Sequence, residues 1–162
     1  MLQHAKGNLI DMAENGLFDV IVHGANCLST MGSGIAKEIK ARYPEAYLAD
    51  HNYMGRESTI MKLGNYSFTE TDYRHPTHQF VIVNAYTQHD YLPRGKDHFE
   101  YDSFKIILRK LLKVYGDKNI GLPYIGMGLA GGDKDRILNL ITKFAQQVTN
   151  KGGTVTLVEF NG

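Results

Sequence analysis

The residues of this sequence best suited to chemistry are His23 and Asn26, which follow an apolar run at residues 18–22. An imidazole titrates near neutral pH and can give or take a proton, and a side-chain amide donates and accepts hydrogen bonds at once. The pair is therefore typical of a site that holds hydroxyl groups and moves a proton. We interpret His23 as a candidate general acid or base, with a hydrogen-bonded core histidine as the alternative.

Two glycine-rich segments follow these residues and predict a site for an anion. The first is Met31-Gly32-Ser33-Gly34, directly before a helical pattern that begins at Ile35; the second is the segment 125–133. Glycine has no Cβ, so the backbone N–H groups of such loops approach a phosphate closely, and a helix N-terminus adds unpaired donors. We therefore predict a pocket for a phosphorylated small molecule, with tight turns as the alternative.

Strands that alternate with helices are expected to position these groups. Short apolar runs predict buried strands at residues 18–23, 79–86, 119–124 and 154–160, with a weaker strand at 60–63. Apolar residues at helical spacing predict helices at 35–43, 44–51, 104–115 and 137–148. The alternation predicts an α/β sandwich with a mainly parallel sheet, in which ligands bind where the strands end.

Length, composition and charge limit the classes of function. A chain of 162 residues with 43% hydrophobic and 22% charged residues predicts one domain over residues 1–162. The formal net charge of +1 gives no strong nucleic-acid signal. The single cysteine, Cys27, excludes an internal disulfide, and no apolar run has the length of a bilayer span. We expect a cytoplasmic protein (in the host cytoplasm if viral) with no membrane partner.

A metal site is the remaining class to consider. His75 and His78 bracket Pro76, but the sequence offers no third and fourth ligand at a suitable spacing. We interpret this stretch as a turn and expect neither a metal nor a cofactor. Cys27 has no obvious partner base, so we expect it to pack or to line a pocket.

Four segments, in this order, resemble the macro domain family of ADP-ribose-binding modules. They are Gly7-Asn8-Leu9, His23-Gly24-Ala25-Asn26-Cys27, Met31-Gly32-Ser33-Gly34-Ile35-Ala36 and the loop from Gly126 to Asp133. The resemblance extends over nearly the whole chain and is closest to the branch of ADP-ribose-1″-phosphate phosphatases and enzymes that remove ADP-ribose from glutamate. It implies a three-layer α/β/α sandwich with a mixed sheet and ADP-ribose across the strand ends.

The resemblance also implies a role for each matched residue. Asn8, where the family has aspartate, and the Leu9 N–H face the adenine, unless Asn8 is only a turn residue. Asn26 bonds the distal ribose, and Tyr86 lines the nucleotide pocket or is a core tyrosine. In the first loop, the backbone N–H groups of Gly32, Ser33, Gly34 and Ile35 face one phosphate. In the second loop, Gly128, Leu129, Ala130 and Gly131 clamp the diphosphate from the other side, and Gly126 and Met127 are also expected to contact ADP-ribose.

The implied function is ADP-ribose binding with hydrolysis of ADP-ribose-1″-phosphate, for which His23 and Asn26 are the catalytic candidates. Removal of ADP-ribose from a modified protein or nucleic acid, and non-catalytic reading of ADP-ribose, remain alternatives. The expected partners are ADP-ribose or ADP-ribose-1″-phosphate, with ADP-ribosylated macromolecules as further candidates.

Two departures from the deglutamylating members bear on the reaction. Their lysine and aspartate correspond to Gln88 and Ala130 here, which can neither form an imine nor act as an acid. Asp90 and Asp133 are near in sequence. We interpret Asp133 as the N-cap of the following helix and Asp90 as a solvated loop residue.

Overall fold

A six-stranded sheet with helices on both faces organises the part of the chain that the computed structural model describes, which is residues 1–27, 31–32, 34–53, 60–71, 78–89, 98–127 and 131–160. The strands are β1 (Leu2–Lys6), β2 (Val20–Asn26), β3 (Tyr66–Glu70), β4 (Val81–Gln88), β5 (Asn119–Leu122) and β6 (Thr154–Glu159). The helices are α1 (Leu9–Glu14), α2 (Gly34–Arg42), α3 (Pro44–Asn52), α4 (Tyr101–Tyr115) and α5 (Lys134–Asn150).

The sheet is mixed and mainly parallel, as the sequence predicted. Its strand order is β1-β6-β5-β2-β4-β3, and only the edge strand β3 runs antiparallel to its neighbour. Successive strand residues point to opposite faces, so Val20 and Val22 pack with α4 and α5, while Ile21 packs with α1, α2 and α3. The three-layer α/β/α sandwich is therefore confirmed.

The central strands β2 and β5 create the place where a ligand can bind. They are parallel neighbours. The helix that follows β2 packs on one face of the sheet, since Ile39 of α2 shares a core with Ile21, whereas Ile137 of α5 packs on the other face with Ile120. Two neighbouring strands whose connections leave to opposite faces open a crevice at their carboxyl ends.

A row of buried polar side chains crosses the sheet on the α3 side. His23 of β2, Asn84 of β4 and Ser67 of β3 are register partners. The His23 Nε2 lies 2.6 Å from the Asn84 Oδ1, and the Asn84 Nδ2 donates to the Ser67 Oγ at 3.1 Å and to the Ala46 carbonyl at 3.0 Å. Because the Asn84 oxygen faces the imidazole, the His23 Nε2 carries the proton and donates it.

The row continues into helix α3 through Tyr86. The Tyr86 hydroxyl lies 2.7 Å from the Ser67 Oγ and donates to the Asp50 Oδ1 at 2.7 Å. His23, Asn84, Tyr86 and Asp50 are each at most 1% exposed. Since a buried polar group without a partner costs about 1–3 kcal/mol, this row fixes β2, β4, β3 and α3 relative to one another.

Burial determines the protonation state of His23. It lowers the pKa of the imidazole to about 4, although the hydrogen bond to Asn84 opposes the shift. His23 is therefore neutral throughout the physiological pH range in the folded protein.

Two segments differ from the sequence prediction for one physical reason. The predicted strand at residues 60–63 is wrong, because Ile60–Lys62 forms a 3₁₀ turn, and strand β3 was not predicted. In both segments burial runs opposite to hydropathy: Lys62 is buried beside the 69%-exposed Met61, and Ser67 is buried beside the 51%-exposed Phe68. Most of the predicted turn at 72–78 lies outside the described residues.

The N-cap of α5 can be tested directly, because the Asp133 carboxylate accepts a hydrogen bond from the Arg136 N–H at 3.1 Å, as the sequence predicted. We expect Asp133→Ala to lower the free energy of unfolding by about 1 kcal/mol, measured by urea denaturation. The matched control is Asp135→Ala, which removes only a first-turn charge and is expected to cost a few tenths of a kcal/mol, roughly. Equal losses in the two variants would contradict a capping role.

The low pKa of His23 predicts a pH dependence of stability. His23 is protonated near pH 6.5 in the unfolded chain but only near pH 4 in the folded protein. Its contribution to the free energy of unfolding is therefore complete above pH 6.5 and is lost as the pH falls toward 4. At about 1.4 kcal/mol per pH unit this loss is about 3 kcal/mol. His23→Gln keeps a donor for Asn84 without titrating, so its free energy of unfolding is expected to fall less over this interval.

The measurement is urea unfolding in small pH steps, with the exposed His4→Gln as the matched control. The control is expected to keep the pH dependence of the wild type. A His23→Gln protein whose stability falls as steeply as that of the control would rule out this account.

Candidate functional site

A cavity of about 450 Å³ lies at the carboxyl edge of the sheet. It is formed where β1, β5 and β6 end and where α1 and α2 begin. Its walls are mostly apolar, and its lining residues are Gly7, Asn8, Leu9, Gly34, Ile35, Glu38, Pro123, Val158 and Phe160. A cavity of this size with a few polar groups is typical of a site for a small organic ligand.

The cavity brings the first matched segment, Gly7-Asn8-Leu9, against the start of α2 at Gly34 and Ile35. These segments were predicted to share one ligand. The Asn8 side chain is the N-cap of α1, since its Oδ1 accepts from the Asp11 N–H at 3.0 Å. Asn8 thus has a local backbone-capping role of the kind that the alternative interpretation expected, and the same side chain lines the cavity. Its contact with adenine stays a prediction.

The first glycine loop joins the end of β2 to α2 and is held by Met31. This residue adopts φ 43°, in the left-handed region that non-glycine residues rarely occupy, while its side chain is 4% exposed and packs in the core. Gly34 has φ 57°, and glycine adopts that value without strain. Ser33 lies outside the described residues, whereas Gly32 belongs to the described loop beside Met31.

The second glycine loop follows β5, the neighbour of β2, and its base is closed by one backbone bond. The Gly132 N–H donates to the Gly126 carbonyl at 2.8 Å. Gly126 has φ 76°, and a Cβ there would lie 2.4 Å from the ring of Phe99, so no other residue fits. Met127 packs against the core that α4 and α5 cover. Gly128, Leu129 and Ala130 lie outside the described residues, and Gly131 adopts φ 70°.

Asn26 ends β2 beside Gln88, its register partner at the end of β4. A bulge between Ala25 and Asn26 shifts the register at this point, and such bulges re-aim side chains next to sites. Asn26 is half-buried and lies at the same sheet edge as the two loops. Gln88 is the residue that the resemblance aligned with the lysine of the deglutamylating members, whereas Asp90 lies outside the described residues.

His23 is not placed to act as a general acid or base, contrary to our interpretation of the sequence. An acid or base must reach the proton that it transfers, but His23 has no exposed surface and its Nε2–H is used by Asn84. The alternative, a hydrogen-bonded histidine of the core, describes its position. A polar residue at a predicted strand end can face the core or the ligand, and the sequence does not distinguish these directions.

Tyr86 likewise does not line the cavity, because it is fully buried and its hydroxyl belongs to the polar row. Burial raises the pKa of its hydroxyl well above the usual value. Its ring stacks on Tyr53 at 5.3 Å between centroids, and the Lys62 Nζ lies 5.3 Å from the ring centre. The prediction that Tyr86 contacts the nucleotide is therefore not supported, and the core interpretation holds.

Cys27 packs beside Tyr86 and is fully buried, as one of the two expectations for it required. Burial raises the pKa of its thiol to about 11, although the positive charge of Lys62 opposes the shift. The thiol is therefore protonated at neutral pH, which excludes a reactive thiolate nucleophile.

Four cavity residues were missed by the sequence reasoning: Glu38, Pro123, Val158 and Phe160. Phe160 directly follows β6 and is 67% exposed, although it is a large aromatic side chain. Its signal was present in the sequence, because a residue after the last parallel strand must lie at the same edge as Asn26. Glu38 follows Gly34 by four residues and therefore lies on the same face of α2.

Within the described residues, no helix has the length and apolar character needed to cross a membrane. In the same part of the chain, no three His, Cys, Asp or Glu side chains form a group that could hold a metal ion.

Comparison with known proteins finds relatives that match most of this chain. An uncharacterized 17.5 kDa protein of the tk-vs intergenic region of Enterobacteria phage T4 is 29% identical over 152 residues, covering 91% of this chain and 92% of the phage protein. The DNA ADP-ribosyl glycohydrolase of Mycobacterium tuberculosis is 28% identical over 149 residues, covering 90% of this chain. The chain spans only 39% of the length of that glycohydrolase.

Solved structures share the fold. The macrodomain of Mycobacterium tuberculosis DarG matches with a TM-score of 0.72 and 22% identity, covering 96% of this chain and 97% of that one. Thermosipho africanus DarTG, solved in complex with ADP-ribose, matches with a TM-score of 0.71 and 14% identity, covering 92% of this chain and 39% of that one. The model of the Macro domain family matches residues 22–141, a span that contains Asn26 and both glycine loops, and the chain therefore belongs to the macro domain family.

Proposed function

We propose that this chain binds ADP-ribose, with the base in the cavity, the diphosphate between the two glycine loops and the distal ribose at Asn26. The observation that carries the proposal is the cavity itself, which unites Asn8 and Leu9 with Gly34 and Ile35 at the strand ends. A relative that is a DNA ADP-ribosyl glycohydrolase and a structural neighbour solved with ADP-ribose support the same ligand.

The cavity, the two glycine loops and Asn26 follow one another along the sheet edge in the same order as the base, the diphosphate and the distal ribose of ADP-ribose. Leu9, Pro123 and Phe160 give the cavity apolar walls suited to a flat aromatic base. The loops that follow β2 and β5 start from neighbouring strand ends, where backbone N–H groups suit two linked phosphates. Asn26 ends β2, which neighbours β5 on the side away from β6 and the cavity, and its amide can donate to and accept from ribose hydroxyls.

For the reaction we propose hydrolysis of ADP-ribose-1″-phosphate. Water attacks the phosphorus, the bond from phosphorus to the 1″ oxygen breaks, and that oxygen leaves as a hydroxyl on ADP-ribose. The first loop would hold the phosphate and Asn26 would orient the ribose, so that catalysis comes from positioning and from stabilising charge. Because His23 is buried, its role is to align β2 with β4 through its hydrogen bond to Asn84, and so to position Asn26 at the end of β2.

Release of ADP-ribose from modified DNA is the second candidate, since the mycobacterial relative is a DNA ADP-ribosyl glycohydrolase. The resemblance aligns Gln88 and Ala130 with the lysine and aspartate of the deglutamylating members, so this second candidate requires a mechanism that does not use the missing lysine. Non-catalytic binding is the third outcome.

The organisation of residues 1–162 as one domain and a cytoplasmic location remain predictions.

Asn26 can be tested with two ligands that differ only in the distal ribose. We expect Asn26→Ala to weaken ADP-ribose roughly tenfold, because about 1.5 kcal/mol of hydrogen bonding is lost, and to leave ADP unchanged. Titration calorimetry measures both affinities, and Asn150→Ala at the exposed end of α5 is the matched control. A wild-type protein without affinity for ADP-ribose would refute the proposed function.

The reaction is tested by product analysis. Incubation with ADP-ribose-1″-phosphate is expected to release inorganic phosphate and ADP-ribose, and incubation with ADP-ribosylated DNA is expected to release no ADP-ribose. We expect Asn26→Ala to slow phosphate release, and His23→Gln to slow it much less. Release of ADP-ribose from the DNA alone would favour the second candidate, and no product from either substrate would favour the third.

A further inference from the structure

The Glu38 carboxylate is fixed at the wall of the cavity by two donors. Its Oε1 accepts from the Asn8 Nδ2 at 3.0 Å and from the Arg42 Nη1 at 3.2 Å. Arg42 is itself held, because its Nη2 lies 2.9 Å from Asp11 and 2.6 Å from Glu14. The carboxylate therefore has little freedom to rotate, because two charge-assisted or amide hydrogen bonds hold the same oxygen.

The other carboxylate oxygen remains available to a ligand. Within the described part of the chain, the Glu38 Oε2 makes no hydrogen bond, and the side chain is 36% exposed where it lines the cavity. The neighbouring Asn8 Oδ1 accepts one bond from the Asp11 N–H and keeps a second lone pair. Two acceptors thus lie beside apolar walls, so the cavity is suited to a flat ring that carries a hydrogen-bond donor.

We propose that Glu38 selects the base of the ligand by accepting a hydrogen bond from an exocyclic amino group, and so favours adenine over hypoxanthine. This inference rests on the proposed function, because it assumes that the cavity holds the base of ADP-ribose. The charge that Asn8 lacks is thereby supplied from α2. Hypoxanthine has a carbonyl oxygen where adenine has its amino group, and that oxygen would face the Glu38 carboxylate and be repelled.

Because the Glu38 carboxylate is fixed, Glu38→Gln tests base selection more specifically than Glu38→Ala does. The donors Asn8 Nδ2 and Arg42 Nη1 require an oxygen at the Oε1 position, so the Gln amide would turn its NH₂ group to the cavity. That donor would meet the adenine amino group unfavourably and the hypoxanthine carbonyl favourably. Glu38→Ala offers neither group, so it is expected to lose discrimination without reversing it.

The experiment is titration calorimetry of ADP-ribose and inosine diphosphate ribose against the wild type, Glu38→Gln and Glu38→Ala. Glu70→Gln on β3, at the opposite edge of the sheet from β1, is the matched control. We expect the wild type to prefer ADP-ribose roughly tenfold and Glu38→Gln to prefer inosine diphosphate ribose. Both ligands are measured on one preparation, so partial unfolding cancels in the ratio.

The two proposals fail in different ways. A wild type that binds neither ligand overturns the proposed function and this inference together. A wild type that binds ADP-ribose, but whose preference is unchanged by Glu38→Gln, overturns only the inference. The inference is supported if the ratio of the affinities for ADP-ribose and inosine diphosphate ribose falls toward one in Glu38→Ala and inverts in Glu38→Gln.

Discussion

The hydrogen bond between His23 and Asn84 fixes the alignment of the two strands from which the candidate site grows. Both side chains are buried, and each would lose its partner if β2 slipped by one residue against β4. Such a slip also sends every side chain of the strand to the opposite face, so His23 would enter the apolar core under α4 and α5. Asn26 and Gln88 end the same two strands, and their pairing at the sheet edge follows from this register.

The elements whose burial follows hydropathy could be predicted from the sequence. Strands β2 and β4 each begin with three consecutive apolar residues, and α4 and α5 carry a clear helical stripe of apolar residues, so their type and approximate position were correct. Strand β3 was missed because it turns Ser67 inward to meet Asn84 and Phe68 outward. A buried polar residue of this kind is explained only by its partner on another strand, which local sequence does not reveal.

The candidate site also contains features that the sequence predicts and features that it does not. Backbone features have a local sequence signature, so the glycine loops and the segment around Asn8 were found before the fold was known. Side-chain features depend on direction: His23 and Tyr86 were expected at the ligand but point into the core, whereas Glu38 and Phe160 line the cavity without a motif. Their roles follow from which strand ends and which helix turn the topology brings together.

The bond between Asn8 and Glu38 has a consequence for how this sequence can change over time. An aspartate at position 8 would place its carboxylate about 3 Å from that of Glu38, where like charges repel. A glutamate at position 38 is therefore tolerated best while position 8 is asparagine. If position 8 changes during evolution, Glu38 is expected to arise after Asn8 and to be lost before position 8 becomes aspartate. The two positions, 30 residues apart in the chain, are thus expected to constrain the order of each other's substitutions.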